Sequence, residues 1–184
     1  LALYRQTVED FALYAGKELE TEELESLKNA AGQMSAKMRA VRIVSASNVS
    51  RRDLEERLVR KGEDPSQAKE AVAWMEELHL VDDRNTAEQV VHSCISKGYG
   101  IARAKQALYE KRIPEEFWED ALAEVPDMGD AVDKFLQQRL RGREPDQKEL
   151  KRTIDALLRR GHSFSQIRRG LENLSLETDE FPEE

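Results

Sequence analysis

Leu54-x3-Leu58-x2-Lys61-Gly62, Ala104-x3-Leu108-x2-Lys111-Arg112 and Thr153-x3-Leu157-x2-Arg160-Gly161 are three versions of one stretch. Each places apolar or small residues four apart, as one face of a helix requires, and then ends on a basic residue and a break. The second break follows the first by 50 residues and the third follows the second by 49. Recurrence at such a period marks stacked supersecondary units, none of which buries enough apolar surface to stand alone. The spacing predicts an all-α chain of tandem three-helix repeats, three units of about 50 residues in an elongated array.

Working outward from the triplet, nearly every segment carries a helical period. Leu24, Leu27, Ala31, Met34, Met38, Val41 and Val44 recur at spacings of three and four, with Gly32 a place where that stretch divides in two. Ser50 is positioned to cap a helix over 51–61, which Gly62 stops with a left-handed C-cap. Asp64-Pro65 restarts the chain with a cap and an N1 proline, and the following helix is expected to bury Ala68, Ala71, Val72, Met75 and Leu78. In the second unit Asp82-Asp83 precede a helix with Ala87, Val90, Val91 and Cys94. A Lys97-Gly98-Tyr99-Gly100 turn leads into a helix with Ala104 and Leu108, and Pro114 opens a third with Phe117, Trp118, Ala121 and Leu122. The third unit has Val132, Phe135, Leu136 and Leu140, a loop around Gly142 and Pro145, a helix with Leu150, Ile154 and Leu157, and a last helix capped by Ser163.

The expected divisions are an N-terminal lead-in over 1–35, repeats over 36–83, 84–128 and 129–174, and an acidic, mobile tail over 175–184. In the lead-in, Val8, Phe11, Leu13 and Leu19 are candidates for a strand or helix edge.

The 184 residues carry a net charge of -8, with 36% charged and 39% hydrophobic residues. That balance suits an array with little interior. The charge is unevenly spread: residues 131–172 hold 11 Lys/Arg against 6 Asp/Glu, a local +5, while the last twelve hold five acids and no base. Whole-chain acidity argues against nonspecific duplex binding, which depends on neutralised phosphates. No apolar run approaches the ~20 residues that cross a bilayer, and no membrane association is expected. A lone cysteine, Cys94, precludes an intrachain disulfide and fits a reducing compartment, so the chain reads as cytoplasmic.

The order and spacing of these pieces resemble the RecX family of bacterial recombination regulators. The matching features are Ser50-x2-Asp53-Leu54-x3-Leu58-x2-Lys61-Gly62, then Leu78-x-Leu80-Val81-Asp82-Asp83-x3-Ala87, then the Lys97-Gly98-Tyr99-Gly100 turn and its following helix. Ala15-Gly16-Lys17-Glu18-Leu19 with Glu22-Glu23-Leu24 is similar to the family's N-terminal region, and the likeness covers roughly residues 11–172. Two departures are Arg112, where relatives tend to place glycine, and Thr153, which replaces an apolar residue. The resemblance implies tandem three-helix repeats and a protein that restrains the RecA recombinase. Family members bind RecA filaments on single-stranded DNA, lie along the filament groove, and suppress extension and ATP turnover. It implies no enzyme activity, no cofactor and a monomeric chain.

Catalysis finds little footing in the residues. His79, His92 and His162 are widely separated, and Cys94 reads as a small buried apolar side chain. No metal set and no phosphate-binding glycine loop is present. The candidates for partner binding are basic: Arg51, Arg52, Arg57, Arg60 and Lys61 in unit one; Lys97, Arg103, Lys105, Lys111 and Arg112 in unit two; Lys151, Arg152, Arg159, Arg160, Arg168 and Arg169 in unit three. Similar placement in three units would line one face with positive charge, toward acidic patches of a protein or toward phosphates, with weak direct DNA contact as the second possibility. Against this stands the plain alternative of solvated faces with acid partners four residues away, such as Glu56 with Arg60 and Asp155 with Arg159. Tyr99 either stacks on a partner or base or folds onto the core. Trp74 and Trp118, at helical apolar spacing, read as core.

Overall fold

A computed structural model describes residues 3–140 and 145–175, and every described element is helical. The order is α1 (Arg5–Asp10), α2 (Thr21–Ala46), α3 (Arg51–Arg60), α4 (Pro65–Glu77), α5 (Asp83–Ser96), α6 (Ile101–Glu110), a 3-10 turn (Glu115–Phe117), α7 (Trp118–Ala123), α8 (Gly129–Leu140), α9 (Gln147–Arg159) and α10 (Phe164–Asn173). The chain falls into two compact units, Leu1–Thr86 and Ala87–Glu184. Gly142 and residues 176–184, most of the expected acidic tail, lie outside the described residues.

In the first unit α2, α3 and α4 form a three-helix repeat. Ala36, Ala40 and Ile43 of α2 meet Leu54 and Leu58 of α3 and Ala68, Ala71, Val72 and Met75 of α4. Leu54, Leu58 and Met75 are fully buried, each contributing roughly 1.5–3 kcal/mol of transfer free energy. Contrary to the expected division, α2 runs unbroken through Gly32. That glycine instead gives room to α4: a methyl group there would collide with the Gln67 side chain, whose amide donates to the Asn29 carbonyl and side-chain oxygens at 3.4 and 3.2 Å. Leu78, expected inside, is 47% exposed because α4 ends one residue earlier and the chain turns at His79 (φ 54°). The lead-in supplies the short helix α1, not a strand.

The second unit holds two more repeats. α5, α6 and the 3-10/α7 segment enclose Ala87, Val91, Cys94, Ala104, Leu108, Ile113, Ala121 and Leu122. α8, α9 and α10 enclose Val132, Leu136, Leu140, Leu150, Ile154, Leu157, Ile167 and Leu171. The helix starts follow the sequence signals. Ser50 accepts from the Asp53 amide at 3.1 Å, Asp64 from Ser66 at 2.9 Å, and Asp82 from Asn85 at 3.1 Å. Ser163 and Gln166 make a full capping box. Thr153, polar in an apolar position, is buried with its hydroxyl donating to the Glu149 carbonyl at 2.8 Å, which removes the cost of burying it.

Candidate partner-binding surface

The three breaks that announced the repeat share one backbone geometry. Gly62, Arg112 and Gly161 have φ of 92°, 57° and 85°. In each turn the next residue's amide donates back to the last buried leucine of the repeat's second helix: Glu63 to Leu58 and Ile113 to Leu108 at 3.1 Å, His162 to Leu157 at 3.2 Å. These are Schellman closures, in which the left-handed residue lets the chain satisfy the helix's last carbonyls. Arg112 adopts that conformation despite its Cβ, with its guanidinium 5.9 Å from the Tyr109 ring. The basic residue before each break (Lys61, Lys111, Arg160) is therefore delivered by the same turn in all three repeats.

The basic candidates divide by what holds them. In the first unit Arg57 makes a two-pronged pair with Asp53, both contacts at 2.8 Å, and also donates to the Ser47 hydroxyl. Arg51 reaches Glu76 at 2.8 Å, while its amide donates to the buried Asp83 carboxylate at 2.8 Å. Glu56 is met by Arg52 at 3.3 Å, so the expected partner of Arg60 is engaged from the other side. Arg60 and Lys61 are exposed and meet no acid among the described residues.

In the second unit Arg103 faces Glu110 at 3.3 Å, whereas Lys97 and Lys105 are exposed without an ion pair among the described residues. Lys111 and Arg112 both have partners within the fold. Arg160 turns inward: its guanidinium lies 4.8 Å from the Phe135 ring and 5.5 Å from the Tyr99 ring. Tyr99 is half-buried and packs on the core of repeat 2, so it folds back. Arg169 pairs with Asp127 at 2.7 Å, a contact that with Gln166 holds the Asp127 carboxyl below its usual range. Lys151 and Arg168 have partners within the fold, and Arg152 and Arg159 are exposed without one among the described residues. Arg152 lines a polar notch of about 380 Å³ with Lys148, Arg139, Asp146, Glu149 and Thr153. Arg139 was not among the sequence candidates, since its proximity to α9 is a property of the α8–α9 packing.

The turn between α9 and α10 has a second role. Gly100 has no side chain to cap α6, and the amides of Gly100 and Ala102 donate instead to the Arg160 and Gly161 carbonyls, at 2.8 and 3.3 Å. Repeat 3 thereby caps the second helix of repeat 2. Gly161 is required twice, once for its φ and once because a Cβ would collide with the Arg103 backbone; a Cβ at Gly100 would likewise strike the Gly161 carbonyl. His162, 4% exposed, places Nε2 3.0 Å from the Gly98 carbonyl. Its Nδ1 is buried without a partner, and burial pushes its pKa below 6.5.

Chemistry is otherwise quiet. Burial raises the Cys94 thiol, which disfavours the nucleophilic thiolate. Among the described residues no group of three His, Cys, Asp or Glu is placed to hold a metal, and no helix is long and apolar enough to cross a membrane.

With this geometry in hand, comparison with known proteins gives a consistent picture. The family model for the second three-helix domain of RecX matches residues 82–122. A regulatory protein RecX from Vibrio parahaemolyticus is 30% identical over 142 residues, 76% of this chain and 92% of that one. One from Chlorobaculum tepidum is 31% identical over 132 residues, 70% of this chain and 81% of its own. Among solved structures, a crystal structure of regulatory protein RecX superposes with a TM-score of 0.73 at 19% identity, covering 92% of this chain and 88% of that one. RecX from Lactobacillus salivarius does so with 0.69 at 20% identity, covering 79% and 98%. At such identities these structures establish the shared fold.

Proposed function

The chain belongs to the RecX family of regulatory proteins, and from that premise we propose that it binds the RecA recombinase and its filament on single-stranded DNA. In this reading it inhibits filament extension, ATP hydrolysis and recombinase activity without catalysing a reaction, and so modulates DNA repair and homologous recombination. The observation that carries the reading is the 30% identity to a regulatory protein RecX over 142 residues, together with the match of residues 82–122 to the family's second three-helix domain. The common turn supports it, because it sets a basic residue at the same point of each repeat. Several modest contacts in series give avidity without one large interface. Arg60, Lys61, Lys105, Arg152 and Arg159 are the strongest contact candidates, being exposed and not spent on internal ion pairs among the described residues. Arg57, Arg160 and Arg169 are engaged in the fold and act mainly by shaping the surface.

Adding the purified protein to RecA on single-stranded DNA is expected to depress ATP hydrolysis. Unchanged turnover at excess protein overturns the proposal. A second reading, direct binding of nucleic acid, is favoured by the +5 of residues 131–172 and the basic notch of repeat 3. It requires DNA affinity without RecA that falls steeply with salt.

A further inference from the structure

Repeat 2 carries an apolar groove on one side of its second helix. α6 and the Glu115–Ala123 segment flank a cavity of about 640 Å³ lined chiefly by Ile101, Lys105, Glu115, Trp118, Glu119 and Leu122. Ile101 is 48% exposed at its mouth. One repeat period away, the same position holds Arg51, tied to Glu76, and Leu150, which is 3% exposed within its own core. The difference follows from the third helix. In repeat 1 it is a continuous 13-residue α4 and in repeat 3 a 10-residue α10. In repeat 2 it breaks into a 3-10 turn and a six-residue α7, which ends at Ala123. Beside the shortened helix Ile101 stays exposed, and the Trp118 ring, which packs on the repeat 2 core and donates its indole N–H to the Ile113 carbonyl at 3.0 Å, keeps one part of its surface on the groove.

Charge selects the occupant. Glu115 and Glu119 line the groove on the side of the flanking segment, where residues 115–124 hold five acids and no base, and Lys105 lines it from α6, so the acidic lip is the one made by Glu115 and Glu119. The chain's own last twelve residues, with five acids and no base, carry the wrong sign to lie there. We propose that the α6/α7 groove of repeat 2 docks an amphipathic helix of a partner protein, its apolar side chains on Ile101, Trp118 and Leu122 and its Lys or Arg residues toward Glu115 and Glu119. Helix-in-groove recognition places apolar anchors at helical spacing in such a trough, while complementary rim charge sets orientation and rejects acidic helices. This site stands on repeat 2 alone and does not depend on the RecA reading.

The test uses the full chain without RecA, in a Trp74→Phe background so that Trp118 is the fluorescent reporter. The probe is a short amphipathic helical peptide of leucine and lysine, with a leucine–glutamate peptide as its mirror in charge. The lysine peptide should shift Trp118 emission saturably and the glutamate peptide should not. Ile101→Asp and Glu119→Lys, both at exposed positions, should each weaken binding about tenfold or more, equivalent to about 1.4 kcal/mol, with circular dichroism reporting an intact fold. No change in Trp118, equal binding by both peptides, or unaltered affinity in the two variants overturns the proposal. Self-association abolished by Ile101→Asp would assign the groove to a second copy and overturn it as well.

Discussion

The second helix of repeat 1 starts on its own cap, and the second helix of repeat 2 does not. Ser50 closes α3 through the Asp53 amide, whereas Gly100 offers α6 nothing and the carbonyls of Arg160 and Gly161 do the work from the following repeat. The turns that close α3 and α9 differ in the same sense. A Cβ at Gly62 would meet nothing within 4 Å, while one at Gly161 would run into the Arg103 backbone. One glycine answers only a dihedral demand; the other answers that demand and a docking contact. The comparison teaches that equal sequence signals in a repeat protein can carry unequal energetic weight, depending on whether a neighbour leans on them.

The most severe way to break this contrast is Gly161→Ala. Left-handed strain of ~1–2 kcal/mol joined to overpacking of ~1–3 kcal/mol predicts a loss of about 2–5 kcal/mol. Urea unfolding followed by Trp118, which reports the second unit, should show it; a loss no larger than that of Gly62→Ala would mean that the two turns carry equal weight. Gly62→Ala, read through Trp74 in the first unit, should cost only the dihedral part, about 1–2 kcal/mol. Ser50→Ala should remove about 1 kcal/mol from the first unit by uncapping α3, whereas Gly100→Ser, which supplies α6 with a cap but inserts a Cβ against the Gly161 carbonyl, should not stabilise the second unit. Arg112→Gly is expected to gain up to about 1 kcal/mol, since it relieves a left-handed non-glycine; a clear loss would mean that the arginine's contact with Tyr109 outweighs the strain.

The smallest expected effect is a pH dependence of the second unit. His162 has its pKa lowered in the fold, chiefly by burial, so the unfolded chain takes up a proton first as pH falls. Stability of the second unit should therefore be level above neutrality and decline as pH drops below about 6.5, the unfolded value. His162→Gln should flatten that decline in Trp118-monitored unfolding.

Much of this was legible in advance because it is local. The four-residue spacing of Leu54 and Leu58 and its two echoes depends only on helix geometry, and the caps at Ser50, Asp64, Asp82 and Ser163 need partners within three residues. The fate of the basic residues was not legible to the same degree. Arg52 and Arg60 both have a carboxylate four residues away in Glu56, and packing decided which one reaches it. Arg160 and Lys61 occupy equivalent positions, yet one lies against the Phe135 ring and the other faces solvent.

By itself, then, the sequence determined the all-helical class, the three-fold period, the caps and most residues of each small core, Leu78 excepted, since these follow from periodicity and short-range hydrogen bonding. It also carried the likeness to RecX. Only the tertiary structure decided that α2 passes unbroken through Gly32, that repeat 3 caps α6, and that a shortened third helix opens an apolar groove beside Trp118. Those outcomes depend on which side chains and carbonyls meet across elements far apart in the chain, and no local pattern encodes such meetings.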